Sequence, residues 1–306
     1  MKRVVLRAAR GLKDAVAVSV GVLAVGVLRL LRRTNPDRIA TATTGIASRI
    51  GRWLPEHRVG RANLAAAYPE KSPAEIEEIL RGVWENLGRV AAEYAHLDRL
   101  WDYDPARPNA GRIELAPGTS ERFEQLRDDG KPALIFAAHL GNWELPALAA
   151  AAYGLETAVL YRAPNVVPVA QAVRKIRTLN MGMLIPTGIG APVKAATALE
   201  AGKHFAMLVD QFYYHGADVT FFGRRTKANP MIARLARHYD CPIHGTRVVR
   251  LPDHRFRIEL TDAIAAPRDG EGRVAVQATT QLITSIVEGW IREHPEQWLW
   301  LHRRWR

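Results

Sequence analysis

The chain has 306 residues, of which 48% are hydrophobic and 24% charged, and it carries a formal net charge of +12. This composition supplies enough apolar side chains for one large domain or two small ones, and it excludes a disordered chain, a collagen and a coiled coil. The single cysteine, Cys241, excludes a disulfide framework and a zinc finger and is typical of a reducing compartment.

The first element in chain order is a basic and apolar segment at residues 1–34. Residues 1–33 hold eight Lys and Arg against one acidic residue, Asp14, so seven of the twelve net charges lie at this end. Residues 15–31 carry no charge except at Arg29, and these 17 residues are near the short limit for a membrane-spanning helix. A basic sequence follows where a signal peptide has a cleavage site. We therefore expect a membrane anchor helix, spanning or interfacial, and the alternative is a buried core helix.

Residues 35–306 have the composition of a soluble globular domain, without internal repeats or low-complexity tracts. The clearest helix in this domain is predicted from Ser72 to about Leu100. Ser72 and Glu75 form a capping box around Pro73, and apolar residues then recur at three- and four-residue spacing. This helix is therefore expected to bury one face.

From residue 133 onward, short apolar runs alternate with helical segments. The predicted strands are 133–138, 157–161, 183–185, 205–209, 243–249 and 257–260. Helices are predicted from 143, over 167–179, from 191, over 231–238 and over 273–293. Such alternation is typical of a parallel sheet with helices on both faces. The predicted fold class is α/β, with a mostly parallel central sheet flanked by helices.

The candidate chemistry lies after the first of these strands, where the chain reads HLGNWE from His139 to Glu144. Ligands of open α/β sheets collect at the carboxyl ends of strands, and the turn is expected to bring the imidazole and the carboxylate together. A carboxylate beside His139 would fix its tautomer and make its other nitrogen a better base. No G-x-S-x-G motif supplies a nucleophile, so His139 is expected to act on the substrate's own hydroxyl. The alternative is a histidine that only bonds a backbone carbonyl at a helix start.

Three other kinds of site have weaker support in the sequence. The run Gly188-Ile189-Gly190 hints at a nucleotide site, but Val193 stands where a third glycine belongs and no Walker lysine motif occurs. A basic chain also suits nucleic acid, yet no helix-turn-helix, zinc or RNA-binding signature is present. The histidines lack the spacing of helical ligand pairs, so no metal site is predicted.

Several blocks, in the same order, make the chain resemble the late acyltransferases of lipid A biosynthesis, which are lauroyl and myristoyl transferases of Gram-negative bacteria. Each block alone is short, but their shared order makes the resemblance specific. It extends from about residue 45 to the end of the chain. The blocks are Asn63–Pro69, Trp84–Arg89, His139–Glu144, Tyr161-Arg162 with Asn165 and Pro168, Val209-Asp210-Gln211, Phe221-Phe222-Gly223 and Pro295–Trp305.

The resemblance implies a glycerolipid acyltransferase-like fold and a membrane-associated enzyme on the cytoplasmic face of the inner membrane. This enzyme would move an acyl chain from an acyl carrier protein thioester to a hydroxyl of a lipid A precursor. His139 would be the general base and Glu144 its acidic partner. Apart from the resemblance, we expect backbone amides at the helix start after Gly141 to hold the thioester oxyanion. The implied substrate-binding residues are Arg162, Arg177 (with Arg174 as a rival), Asp210, Gln211 and Arg303.

The resemblance implies no cofactor and no metal, with acyl-acyl carrier protein as co-substrate. The implied partners are acyl carrier protein, an anionic glycolipid acceptor and inner-membrane lipids, and nucleic acid is not among them. A basic protein attracts each of these acidic partners.

One departure from the family pattern concerns the acceptor. After Phe221-Phe222-Gly223 many relatives have a threonine-glycine step, whereas this chain continues with residues 224–230, RRTKANP. The first alternative is therefore an acyltransferase of the same family that acts on another glycolipid or on a phospholipid. The second alternative is a basic, membrane-attached binding protein without catalysis.

Overall fold

The structure is a computed structural model that describes residues 18–19, 21–23, 25–108, 110–164 and 166–306. Most of the predicted anchor at 1–34 lies outside these residues. Within its described part, residues 25–31 are helical. In the described ranges, no helix combines the length and the apolarity that crossing a membrane requires.

Three helices form the first layer of the fold. They are α1 (Pro36–Gly51), α2 (Pro55–Ala67) and α3 (Pro73–Glu93). The predicted capping box is confirmed, because the Ser72 side chain accepts from the Glu75 amide and the Glu75 carboxylate accepts from the Ser72 amide. The predicted helix ends earlier than expected, since a 3-10 turn at Tyr94–His96 separates α3 from the short α4 (Leu97–Leu100).

Strands and helices alternate through the rest of the chain. The strands are β1 (Ile113–Leu115), β2 (Leu134–Ala137), β3 (Thr157–Tyr161), β4 (Met183–Pro186), β5 (His204–Leu208), β6 (Ala217–Phe221), β7 (Arg224–Ala228), β8 (Ile243–Arg250) and β9 (Phe256–Ala263). The helices are α5 (Thr119–Asp128), α6 (Leu145–Ala152), α7 (Val167–Asn180), α8 (Ala191–Glu200), α9 (Met231–Tyr239) and α10 (Val276–Glu293). A 3-10 turn at Pro295–Gln297 precedes the C-terminal segment.

Seven strands form one central sheet in the order β1-β9-β8-β2-β5-β3-β4. All neighbouring strands in it run parallel except β8 and β9, which form an antiparallel hairpin. The predicted α/β class with a mostly parallel sheet is therefore confirmed. The separate antiparallel hairpin of β6 and β7 is not among the predicted elements.

Side chains of the central strands alternate between two environments, because successive residues of a strand point to opposite faces. On β2, Leu134 and Phe136 are fully buried in the main core, where the Phe136 ring stacks on Trp290 of α10. Ile135 and Ala137 face the other side, where they line a cavity. His139 follows them two residues later on that same face.

Parallel strands end at a common edge of the sheet, and ligands of such folds bind there. The carboxyl ends of β2, β3, β4 and β5 lie side by side in this sheet. The residues that follow these ends are His139, Arg162, Thr187 and Asp210. The sheet therefore gathers side chains from four strands at one edge.

Candidate active site

His139 is bonded to the carboxylate of Asp210, which follows the neighbouring strand β5. Asp210 Oδ1 lies 2.9 Å from His139 Nδ1, and Asp210 Oδ2 accepts from the backbone N–H of His139 at 3.0 Å. The indole N–H of Trp298 donates to the same Oδ2 at 2.7 Å. Three hydrogen bonds thus fix the carboxylate and, through it, the imidazole.

The Asp210 side chain is fully buried. Burial alone raises the pKa of a carboxyl group, but the nearby His139 ring and the hydrogen bonds from His139 outweigh burial and hold the pKa of Asp210 far below its usual range. Asp210 is therefore an ionised carboxylate. As a hydrogen-bond acceptor, it favours the His139 tautomer that carries its hydrogen on Nδ1. In the neutral form of this tautomer the lone pair lies on Nε2, which is the nitrogen that a general base would use.

The predicted pairing of His139 with Glu144 is wrong in this structure. Glu144 is buried and bonds instead to Arg177 of α7, with Arg177 Nε 2.9 Å from Glu144 Oε2 and a second bond from Nη2 to Oε1. Glu144 stands just before α6, and its amide N–H donates to the Asn142 side chain. This geometry turns the carboxylate toward α7, while Asp210 from the adjacent strand occupies the position beside His139.

Arg177 is engaged inside the protein, which differs from its predicted role as a phosphate ligand. Its guanidinium lies about 6 Å from the rings of Tyr94 and Tyr161, at 5.9 and 6.0 Å. Burial would lower the pKa of Arg177, but the Glu144 carboxylate reverses the effect and raises it. The fork that would bind a phosphate in two parallel bonds is thus already occupied by a carboxylate.

A cavity of about 370 Å³ opens beside His139, within the size range of small-molecule sites. His139, Trp143 and Gln211 line its polar end, together with Arg162. The remainder of its wall is mostly apolar and follows the sheet toward the amino end of β3. Residues of that apolar wall include Phe123, Ile135, Ala147, Ala150, Val159, Met181, Ala206, Leu208 and Leu260.

The predicted substrate-binding residues separate into three groups. Arg162 and Gln211 line the cavity and are exposed, and neither side chain has a hydrogen-bond partner among the described residues. Asp210 is bonded to His139 and Arg177 to Glu144, and Arg177 also lines the cavity; their contact with an acceptor stays a prediction. Arg303 is exposed and does not line the cavity.

The neighbouring Arg304 is the buried cation of the C-terminal segment, at 1% exposure. It donates to the Thr226 hydroxyl and to the Lys227 carbonyl of β7. Burial lowers the pKa of Arg304 to about 10. Arg304 thus connects the C-terminal segment to the β6–β7 hairpin through hydrogen bonds. The sequence analysis had named its neighbour Arg303 instead.

A buried polar network holds the HLGNWE turn from behind. Arg250 of β8 donates to the Glu93 carboxylate and to Asn86 Oδ1, and all three side chains are buried. Asn86 in turn donates to the Gly141 carbonyl at 3.0 Å, and Asn142 donates to Glu93 at 2.8 Å. Satisfied buried networks of this kind rigidify the groups that they contact.

Gly141 lies at φ +58°, a left-handed conformation that favours glycine. Its N–H donates to the Gln297 carbonyl, and a Cβ at this position would lie 2.5 Å from the Val248 carbonyl oxygen. The next two amides, of Asn142 and Trp143, have no acceptor in the described part of the chain. They are the amides after Gly141 for which the role of holding an oxyanion was predicted, and Trp143 also lines the cavity.

Several functional contacts escaped the sequence analysis because they join distant segments. Asp210 was singled out, but its pairing with His139 depends on β5 lying next to β2. Trp298 lies in the block Pro295–Trp305 of the resemblance, but its hydrogen bond to Asp210 was not predicted. The described residues include no group of three or more His, Cys, Asp or Glu side chains arranged to hold a metal ion.

A sequence model of the family described as bacterial lipid A biosynthesis acyltransferase matches residues 13–306. No curated protein matches the chain.

Proposed function

The chain belongs to the bacterial lipid A biosynthesis acyltransferase family, a family of acyltransferases, and from this premise we propose that it transfers a fatty acyl chain from an acyl carrier protein thioester to a hydroxyl of a lipid A precursor. The observation that carries the proposal is an imidazole, oriented by a buried carboxylate, at the polar end of an apolar cavity. The cavity suits a hydrocarbon chain, and the imidazole suits the removal of a hydroxyl proton.

The proposed reaction is a direct transfer. His139 Nε2 takes the proton of the acceptor hydroxyl while its oxygen attacks the thioester carbonyl carbon. The tetrahedral oxyanion is held by the amides of Asn142 and Trp143. The C–S bond then breaks, and the leaving thiolate receives the proton from the His139 imidazolium. Asp210 stabilises the positive charge that His139 carries between these two proton transfers.

Arg162 and Gln211 are the proposed contacts for the polar part of the substrates. Arg162 lines the polar end of the cavity, where its guanidinium, which has no partner among the described residues, can bind a phosphate of the acceptor in two parallel bonds. Glu144 and Arg177 hold α6 and α7 together along the cavity wall. We place the reaction on the cytoplasmic face of the inner membrane, with residues 1–34 as the attachment segment.

A second acceptor class is favoured by the β6–β7 hairpin. The stretch that departs from the family pattern forms β7, and Arg224 and Arg225 of this strand are exposed without a carboxylate partner among the described residues. These cations suit an anionic glycolipid or phospholipid with a different headgroup.

The experiment that tests the function combines the purified protein, a defined acyl-acyl carrier protein and a lipid A precursor, followed by mass spectrometry. We expect the acceptor to gain the mass of one acyl chain with wild type, and no gain with His139→Ala. Transfer to a phospholipid in place of the precursor would support the second acceptor class. No transfer to any of these acceptors would contradict the proposed function.

A further inference from the structure

The Gly188-Ile189-Gly190 run, which hinted at a nucleotide site, is an exposed loop between β4 and α8. Ile189 is 101% exposed, and each residue from 186 to 190 is exposed. Val193 at the start of α8 is 69% exposed. Exposing large aliphatic side chains to water is unfavourable, so Ile189 and Val193 indicate a surface that contacts something apolar.

The loop lies at the edge of the sheet where the cavity has its polar end. Strand β4 pairs in parallel with β3, and the amide of Thr187 bonds the carbonyl of Tyr161. Thr187 itself lines the cavity, two residues before Ile189. Val167, 61% exposed, begins α7 after the carboxyl end of β3. Exposed aliphatic side chains from three elements therefore share the edge that carries His139; we call Val167, Ile189 and Val193 the rim.

The rim is continuous with the apolar helical segment that precedes the domain. A Cβ on Gly21 would lie 2.5 Å from a side-chain carbon of Val166, so this segment packs directly beside Val167. The residues that follow Gly21, Val22 and Leu23, are 58% and 68% exposed. The same surface thus extends from the sheet edge onto a helix whose outer side is also aliphatic.

The charge around the rim has one sign. Residues 157–199 contain no Asp or Glu, and their five cations are Arg162, Arg174, Lys175, Arg177 and Lys194. Arg177 is neutralised by Glu144, whereas Arg162 and Lys194 are exposed and have no carboxylate partner among the described residues. Aliphatic side chains flanked by unpaired cations are the chemistry of a surface that meets anionic lipid.

We propose that the rim inserts into the surface of an anionic bilayer, so that the catalytic edge of the sheet faces the membrane and an acyl-bearing acceptor enters the cavity from the lipid. An acidic protein would also meet the cations, but it offers no apolar medium for a fully exposed isoleucine that is continuous with an apolar helix. The inference concerns the orientation of the domain and goes beyond the identity of the acceptor.

The same stretch of chain supplies a matched control surface. Leu179, at the end of α7, is 73% exposed, and Met183, at the start of β4, is 46% exposed. Both lie at the amino ends of the parallel strands, opposite to the rim. Both are exposed and apolar like Ile189 and Val193, although each is less exposed than its counterpart in the rim, and they lie on the opposite edge of the sheet.

The first test places an environment-sensitive fluorophore on Ile189→Cys or, as control, on Leu179→Cys in the full-length chain, in a Cys241→Ser background. With vesicles of phosphatidylcholine and phosphatidylglycerol, we expect the probe at 189 to shift to shorter wavelength and to be quenched by lipids with nitroxide-labelled acyl chains. The probe at 179 should keep its emission. An unshifted probe at 189, equal shifts at both sites, or a shift at 189 caused by acyl carrier protein but not by vesicles would overturn the proposal.

The second test compares Ile189→Ser/Val193→Ser with Leu179→Ser/Met183→Ser. Because the rim variant loses two inserted aliphatic side chains, we expect its vesicle binding to be about tenfold or more weaker than that of wild type. The control variant should bind vesicles less than about twofold more weakly. Equal vesicle binding by the two variants would contradict the proposal that the rim inserts into the bilayer. Turnover of the rim variant with detergent-dispersed acceptor should match wild type. If neither wild type nor any variant transfers acyl chains but the probe at 189 still inserts into vesicles, the proposed function is wrong and the proposed membrane insertion of the rim is supported.

Discussion

Asp210 contacts His139 at two atoms, with 2.9 Å between Oδ1 and the ring Nδ1 and 3.0 Å between Oδ2 and the backbone nitrogen. One carboxylate thus fixes both the ring orientation and the backbone from which the ring projects. Because this carboxylate is fully buried, its orienting effect is not weakened by water.

Replacing Asp210 by asparagine should impair catalysis more than binding. Asparagine retains the shape but loses the charge that selects the Nδ1–H tautomer and stabilises the imidazolium, so we expect kcat to fall by about 10² to 10⁴. The KM for the acceptor should change little. Steady-state kinetics with Asp218→Asn, the same change at an exposed carboxylate of β6, provides the control. A large rise in KM with an unchanged kcat would instead indicate that Asp210 binds the acceptor.

Replacing Glu144 by glutamine should act mainly on stability. The change leaves the half-buried Arg177 without its carboxylate, and breaking such a pair costs about 3 kcal/mol of unfolding free energy. Glu144→Gln/Arg177→Met should recover part of this loss in chemical denaturation. Glu156→Gln removes the partner of Lys203 at an exposed site and should cost less than about 1 kcal/mol. If Glu144→Gln lowers kcat as strongly as His139→Ala at unchanged stability, Glu144 acts in the chemistry.

The acid sensitivity of the fold should depend on His302. Both ring nitrogens of His302 are buried without a hydrogen-bond partner among the described residues, and burial lowers its pKa from 6.5 to about 4. The folded protein therefore binds fewer protons than the unfolded chain between these values, and stability falls as the pH drops from about 6.5 to about 4. We expect this group to contribute about 3 kcal/mol to that fall. The difference between unfolding free energies at pH 7 and pH 4.5 should be smaller in His302→Asn, and an unchanged difference would refute this assignment.

The length of the accepted acyl chain should depend on Ala206. It pairs with Ile135 and Val159 in the sheet register, and all three line the cavity midway along the strands. The larger side chain of Ala206→Leu would occupy the cavity at this point and block the end of a long acyl chain. Each methylene group of the chain that can no longer be buried costs about 0.8 kcal/mol, or about fourfold in affinity. Competition between acyl donors of different length should show a shift toward shorter chains. Ala206→Ser, which conserves the volume, should keep the wild-type preference.

Local features of the fold could be predicted from the sequence, because their causes lie within a few residues. The capping box of Ser72 and Glu75 is one example, and the buried strand before His139 is another. The β6–β7 hairpin was missed because Arg224, Arg225 and Lys227 give β7 a charged rather than an apolar pattern. Its stability comes from packing, since Phe221 and Phe222 contact Trp305 and Arg304.

The partner of His139 could not be predicted, because it depends on the order of strands in the sheet. Asp210 lies 71 residues beyond His139, and β5 reaches its position only by inserting between β2 and β3. Glu144 is close in sequence, but the turn through Gly141 directs it to Arg177 on α7. Sequence proximity thus favoured the wrong carboxylate, whereas the position of His139 at the carboxyl edge of the sheet was predicted correctly.

The proposed mechanism requires His139 and Asp210 to work as one unit, and a double-mutant cycle on acyl transfer measures that coupling. The rates of wild type, His139→Ala, Asp210→Asn and the double variant are compared with the same donor and acceptor. Once the imidazole is absent, the carboxylate has nothing to orient, so the double variant should be no slower than His139→Ala, within about threefold. A double variant whose loss equals the product of the two single losses would contradict the account.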